Sequence, residues 1–184
     1  MARAQVLGFQ GAHLGPSSVL ACVKHFAGYG AADGGRDYDS SYVPEELMHN
    51  VYLVPFHAAE EAGAGSFMSA YMDLNDVPAS GNHWLLTDVL RKDWGFQGFV
   101  VSDAFAVASL QVPSFAKDPA DAAYKGFTAG VNMDMASQTY THNLAALVKD
   151  GKVSEAYLDP MVLPILESKY DLGLFDHPYV DASK

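Results

Sequence analysis

Apolar and polar positions along this chain follow two rhythms: short runs of consecutive apolar residues, and longer stretches in which apolar residues recur every three or four positions. Short runs bounded by turn residues predict buried strands, and the longer recurrence predicts helices packed by one face. Residues 19–26 are the first short run. A loop dense in Gly, Asp and Ser follows. Residues 44–61 then place Leu47, Val51, Val54 and Ala58 at helical spacing, with Pro44 at an N1-like position. Residues 66–71 form a second strand, residues 82–93 a helix with Leu85, Leu86, Val89 and Leu90 on one face, and residues 99–102 a third strand. Asp118-Pro119 opens a helix that runs through Gly126, residues 131–135 are a fourth strand, and residues 140–149 the next helix. The last helical stretch, residues 154–170, has Asp159 as a capping residue before Pro160 and has Pro164 a turn further in. A bent or late-starting helix is expected there.

The pattern is α/β, four βα units in a single domain over residues 1–184. A closed (βα)8 barrel needs about 250 residues and eight strands, so the architecture expected is a partial, half TIM-type barrel. Its two outer strands would be open edges and its inner face exposed apolar surface. Self-association, as a two-fold dimer that restores a closed sheet, is the expected remedy.

Charge and cysteine content narrow the chemistry. A net charge of −11 repels nucleic acid and anionic membrane surfaces, and no apolar run approaches the roughly 20 residues that cross a bilayer. Residues 1–11 lack the apolar segment of a secretory signal. Cys22, the one cysteine, cannot form an intrachain disulfide, and its apolar neighbours predict a buried structural thiol. No metal or cofactor is expected. His57-Ala-Ala-Glu60-Glu61 lacks the second histidine of zinc-protease motifs, Gly28-Tyr-Gly30 and Gly63-Ala-Gly65 lack the third glycine of a dinucleotide turn, and no Gly-x-Ser-x-Gly elbow occurs.

The stretch 91–105 carries the sharpest signal. A helix end passes through Gly95 and Gly98 into the apolar run Phe99-Val100-Val101-Ser102, which delivers Asp103 at its tip. Barrels and doubly wound sheets present catalytic carboxylates at such strand ends. With Val23-Lys24-His25-Phe26-Ala27, the Gly34-Gly35-Arg36-Asp37-Tyr38 loop, Trp84-Leu85-Leu86, Trp94-Gly95-Phe96 and the ending 169–175, this stretch resembles the second half of the catalytic barrel of glycoside hydrolase family 3. The resemblance is to its bacterial β-glucosidase branch, and Tyr29 and Ala31-Ala32 stand where the hexosaminidase branch carries a His and an Asp.

The resemblance implies a retaining β-glycosidase acting on small β-glucosides or oligosaccharides, with Asp103 as nucleophile, Lys24 and His25 as donors to sugar hydroxyls, Arg36 beside them and Tyr71 near the nucleophile. It also implies that the sugar-gripping aspartate and arginine of the first half-barrel, and the acid/base of a second domain, lie outside this chain. An acid/base would then come from Asp37, Asp134, a partner subunit or water. Relatives of this kind are often periplasmic or secreted. Ala104 replaces a Trp or His, Asp76 a Gly, and Asn132 a frequent Asp. Each site residue also has a plainer role open to it: Asp103 as a helix cap, Lys24-His25 as a strand-end pair, Arg36-Asp37 as a loop ion pair, Tyr71 as core. A sugar-binding half-barrel without useful turnover is the alternative to the enzyme.

Overall fold

The structure, a computed structural model, describes residues 1–112 and 114–179. Three short strands, β1 (Cys22–Phe26), β2 (Ser66–Ser69) and β5 (Phe99–Ser102), pair in parallel in that order. Ser66 opposes Cys22 on one side and Phe99 on the other, and the β2–β5 register runs without a break to Ser69 and Ser102. Between β2 and β5 lies a two-residue hairpin, β3 (Asp73–Leu74) with β4 (Val77–Pro78). Its turn residues Asn75 and Asp76 both have positive φ, 51° and 67°. Such a turn favours Asn, Asp and Gly, so Asp76 in place of a glycine is tolerated.

The predicted fourth strand is corrected to an isolated parallel bridge, Val101 with Met133. Backbone bonds hold it to β5, from the Asn132 and Met133 amides to the Val100 carbonyl and from the Ser102 amide to the Met133 carbonyl, and side chains add to them. Asn132 Oδ1 accepts the Val100 amide, and Ser102 Oγ accepts the Met135 amide. The sheet therefore has three strands and one bridged segment among the described residues.

Helices cover the outer face. The apolar stripe predicted over residues 44–61 is present but broken into α2 (Glu45–Leu47), a π-helical turn Met48–Tyr52 and α3 (Val54–Glu60). Pro55 explains the break: it has no amide to donate, and its ring crowds the carbonyl of Val51, so the preceding turn widens and Leu53 donates to Met48 instead. Residues 82–93 also widen into a π-helix, Trp84–Asp93, that still buries Leu85, Leu86, Val89 and Leu90 as expected. Asp118 caps α4 (Pro119–Ala129) through the Asp121 amide, and α5 (Thr139–Lys149) follows. The last helix, α6 (Leu158–Asp171), starts late behind a short 3-10 turn and continues through Pro164. Asp159 does not cap it: the helix already begins at Leu158.

The sequence pattern missed α1 (Ala2–Gln10) altogether. It packs against α3 at the entry to β1 and β2, where Gln10 Oε1 accepts from Ala21 and Gly65 and its amide donates to the Gly63 carbonyl. The Val19 amide turns to the Phe9 carbonyl, so β1 begins only where the Ala21 carbonyl accepts the Ser66 amide.

Between sheet and helices sits one aromatic core. Phe26 makes edge contacts with Phe56, Phe67 and Trp94 at 5.2–5.8 Å, and Phe67 meets Phe96 at 4.9 Å. Close packing at the entry to β5 requires Gly98, where a Cβ would sit 2.2 Å from the Gly65 carbonyl oxygen. This contact fixes the start of β5 against β2, and with it the height at which Asp103 leaves the sheet.

Candidate active site

Asp103 is the first residue beyond β5, on the end of the sheet that also carries the exit of β1. Its Oδ1 accepts the Ala104 amide at 2.8 Å, and its Oδ2 lies 3.3 Å from His25 Nε2. The next helical turn, Ala108–Gln111, begins after Val107 and takes no bond from this carboxylate. A helix-cap role for Asp103 is therefore not what the fold uses it for.

Both side chains open into a cleft of about 690 Å³ whose wall also includes Tyr29, Arg36, Asp37, Tyr38 and Tyr71. Tyr71 stands half-buried on that wall, its ring 5.0 Å from Tyr38. Burial, and after it the charge of Asp103, holds its phenol above the ordinary value, so it stays a neutral donor. The Tyr29 hydroxyl donates to Asp37, and burial together with that bond pushes the Tyr29 phenol up as well. The result is one carboxylate facing an imidazole, ringed by aromatic hydroxyls and a guanidinium. That suits a neutral, hydroxyl-rich ligand with an electrophilic carbon better than an anion.

Of the residues picked from the sequence, His25, Arg36, Tyr71 and Asp103 meet in this cleft. Arg36 pairs with Asp39 at 2.7 Å rather than with its neighbour Asp37. That pair is exposed, contributes about 0–1 kcal/mol and leaves the loop free to adapt. Lys24 is exposed and borders a different hollow, with Phe9, Pro55 and Phe56 between α1, β1 and α3. Cys22 is a correction: it is exposed on β1, the edge strand of the sheet, beside the hollow that Phe9 and Phe56 line. Its sulfur is nonetheless shielded enough that the thiol is pushed up, which argues against an activated nucleophile. Asp134 is spent on structure, accepting from Ser137 Oγ and from the Thr139 and Tyr140 amides where α5 begins. Tyr29 and Tyr38 were not singled out from the sequence. Their place in the loop around Gly34-Gly35-Arg36 was the available signal.

A carboxylate delivered by a parallel strand into a hydroxyl-lined cleft places the chain among βα-barrel-type enzymes, whose catalytic groups sit at the strand ends. Residues 1–167 match the family model for the Glycosyl hydrolase family 3 N terminal domain, and the chain belongs to that family. It is 44% identical over 162 residues to the periplasmic beta-glucosidase of Salmonella typhimurium, covering 88% of this chain and 21% of that protein. A beta-xylosidase of Formosa agariphila is 40% identical over 167 residues, 86% of this chain and 23% of that protein. The crystal structure of beta-glucosidase from Listeria innocua in complex with glucose superposes with a TM-score of 0.92 at 40% identity, over 96% of this chain and 25% of that chain. The chain thus spans only a fifth to a quarter of the length of these three proteins.

Proposed function

We propose that this chain carries the nucleophile part of a retaining β-glycosidase site for small β-glucosides or oligosaccharides. The observation that supports it most is the Asp103 carboxylate, free of any helix-capping duty and aimed with His25 into a hydroxyl-lined cleft. In this proposal an Asp103 oxygen attacks the anomeric carbon. The glycosidic C–O bond breaks, its electron pair leaves on the aglycone oxygen, and that oxygen takes a proton from water, which the second step's water returns to solvent. Water then attacks the glycosyl ester, returning the carboxylate and the sugar with its configuration retained. His25, Arg36 and Tyr71 hold sugar hydroxyls and favour the oxocarbenium-like transition state. Lys24, which borders the hollow between α1, β1 and α3, is outside the cleft and has no role in this step. Asp37 is the other carboxylate on the cleft wall among the described residues, with one oxygen taken by Tyr29.

The same proposal includes self-association through the open sheet edge and the uncovered apolar surface of α6, where Val162, Leu163, Leu166 and Tyr170 are 43–71% exposed. The direct test of the site is Asp103→Asn, which keeps shape and acceptor capacity but removes the nucleophilic charge. Turnover of an aryl β-glucoside should fall by roughly 10³-fold or more while the folded state is retained. Survival of the activity would refute Asp103 as nucleophile.

A further inference from the structure

The cleft does not end at Tyr71. On the far side of Tyr38 and Tyr71, which line both spaces, a second hollow of about 380 Å³ is walled by Phe105, Pro78 and Leu110. Two of its aromatic residues are held in an unusual backbone: Phe105 at φ 63° and Tyr38 at φ 69°. L side chains rarely adopt that region, and aromatic residues found there mark places where the surroundings over-determine the conformation. For Phe105 the surroundings are the Asp103 turn itself. Its amide donates to the Met135 carbonyl, and the Ala106 amide returns to the Asp103 carbonyl. The turn that exposes the carboxylate therefore also pushes the Phe105 ring out, 57% exposed, with Tyr38 64% exposed across the hollow.

The two spaces differ in chemistry. The first offers charges and hydroxyls; the second is apolar and aromatic, with Asp73 and two serines as its polar members. A β-glycoside with an aromatic aglycone has the same division, a hydroxyl-rich ring and a flat apolar group joined at the bond Asp103 would open. We infer that the Phe105–Tyr38 hollow is a specificity site for flat, apolar aglycones, so that aryl β-glucosides are preferred over glucosides with small or sugar leaving groups. This rests on the glycosidase proposal above and names the substrate class that it leaves open.

Titration with phenyl and methyl 1-thio-β-glucosides, which resist hydrolysis, separates the two ideas because it reads binding rather than leaving-group chemistry. The phenyl compound should bind about tenfold more tightly than the methyl one, from burial and ring stacking of the aryl group. Phe105→Gly, which suits φ 63°, should cut that preference below about twofold. Phe105→Asn, also tolerant of this backbone, guards against an effect of glycine flexibility. Equal binding of both thioglucosides, or a preference that survives both substitutions, overturns the inference and leaves the sugar site standing. Failure of either thioglucoside to bind at all overturns the sugar site and the inference together.

Discussion

Asn132 joins three parts of the molecule with one buried side chain. Its Oδ1 accepts from the Arg91 guanidinium at 2.7 Å and from the Val100 amide at 2.8 Å, and its Nδ2 donates to the Met161 carbonyl at 2.8 Å. Arg91 in turn donates to the Phe96 and Gly98 carbonyls, so the π-helix, β5 and α6 are held at one point, just behind the strand that carries Asp103. Burial lowers the Arg91 guanidinium below its usual value, a sign of how far it is withdrawn from water. Removing the amide strands buried partners on both sides, each costing about 1–3 kcal/mol. Asn132→Ala should therefore destabilise the fold by roughly 2–4 kcal/mol in urea denaturation. A loss below about 0.5 kcal/mol, the range of ordinary surface substitutions, would mean that the clamp is dispensable.

At this scale the sequence was legible where a residue's place follows from its own strand. Asp103 at the end of an apolar run, and His25 beside it, are such cases. Where the environment is made by distant segments the sequence said less. The apolar neighbours of Cys22 gave no sign that β1 is an edge, and the order Arg36-Asp37 gave no sign that the loop folds Arg36 onto Asp39.

Among the elements, the strand predicted at 131–135 is the instructive case. The apolar run exists and keeps backbone bonds to Val100 and Ser102, but beyond Met133 the Met135 amide turns to the Ser102 hydroxyl and Asp134 turns to Thr139, leaving one bridge in place of a ladder. Asp134 then acts as the cap of α5, a role hidden by the four residues between it and Thr139. Asp134→Ala should cost about 1–2 kcal/mol, and Asp134→Asn much less, because an amide oxygen still accepts from the Thr139 amide. Thermal denaturation of the two variants checks this, and an equal loss in both would show that the charge, not the cap, matters. The helix α1 was invisible for a related reason. It is held by buried Val6 and by Gln10, too few positions to write a helical stripe into the sequence. Long stripes such as 82–93 were legible as helices, while their widening into π-turns was not, because apolar spacing does not distinguish i+4 from i+5 bonding.

Taken as a whole, the molecule is a three-stranded parallel sheet with helices packed on its outer face and a cleft at the strand tips. What the sequence could not supply is what faces its open side. The exposed residues of α6, with Phe9 and Val19 beside the edge strand, are apolar surface that water does not favour. Light scattering at micromolar concentration should return a particle of at least twice the 19.8 kDa chain mass. A 19.8 kDa particle would contradict self-association and leave the site proposal untouched.

A covalent bond between Asp103 and the sugar can be trapped. A 2-fluoro-glucosyl fluoride slows release of the glycosyl ester more than its formation, so the labelled residue persists through digestion and peptide mass mapping. One added fluoroglucosyl group is expected on the peptide that holds Gly98 to Phe105, absent from the Asp103→Asn protein. Stable label on Asp37 or any other carboxylate, or label unchanged by Asp103→Asn, would contradict a nucleophilic Asp103.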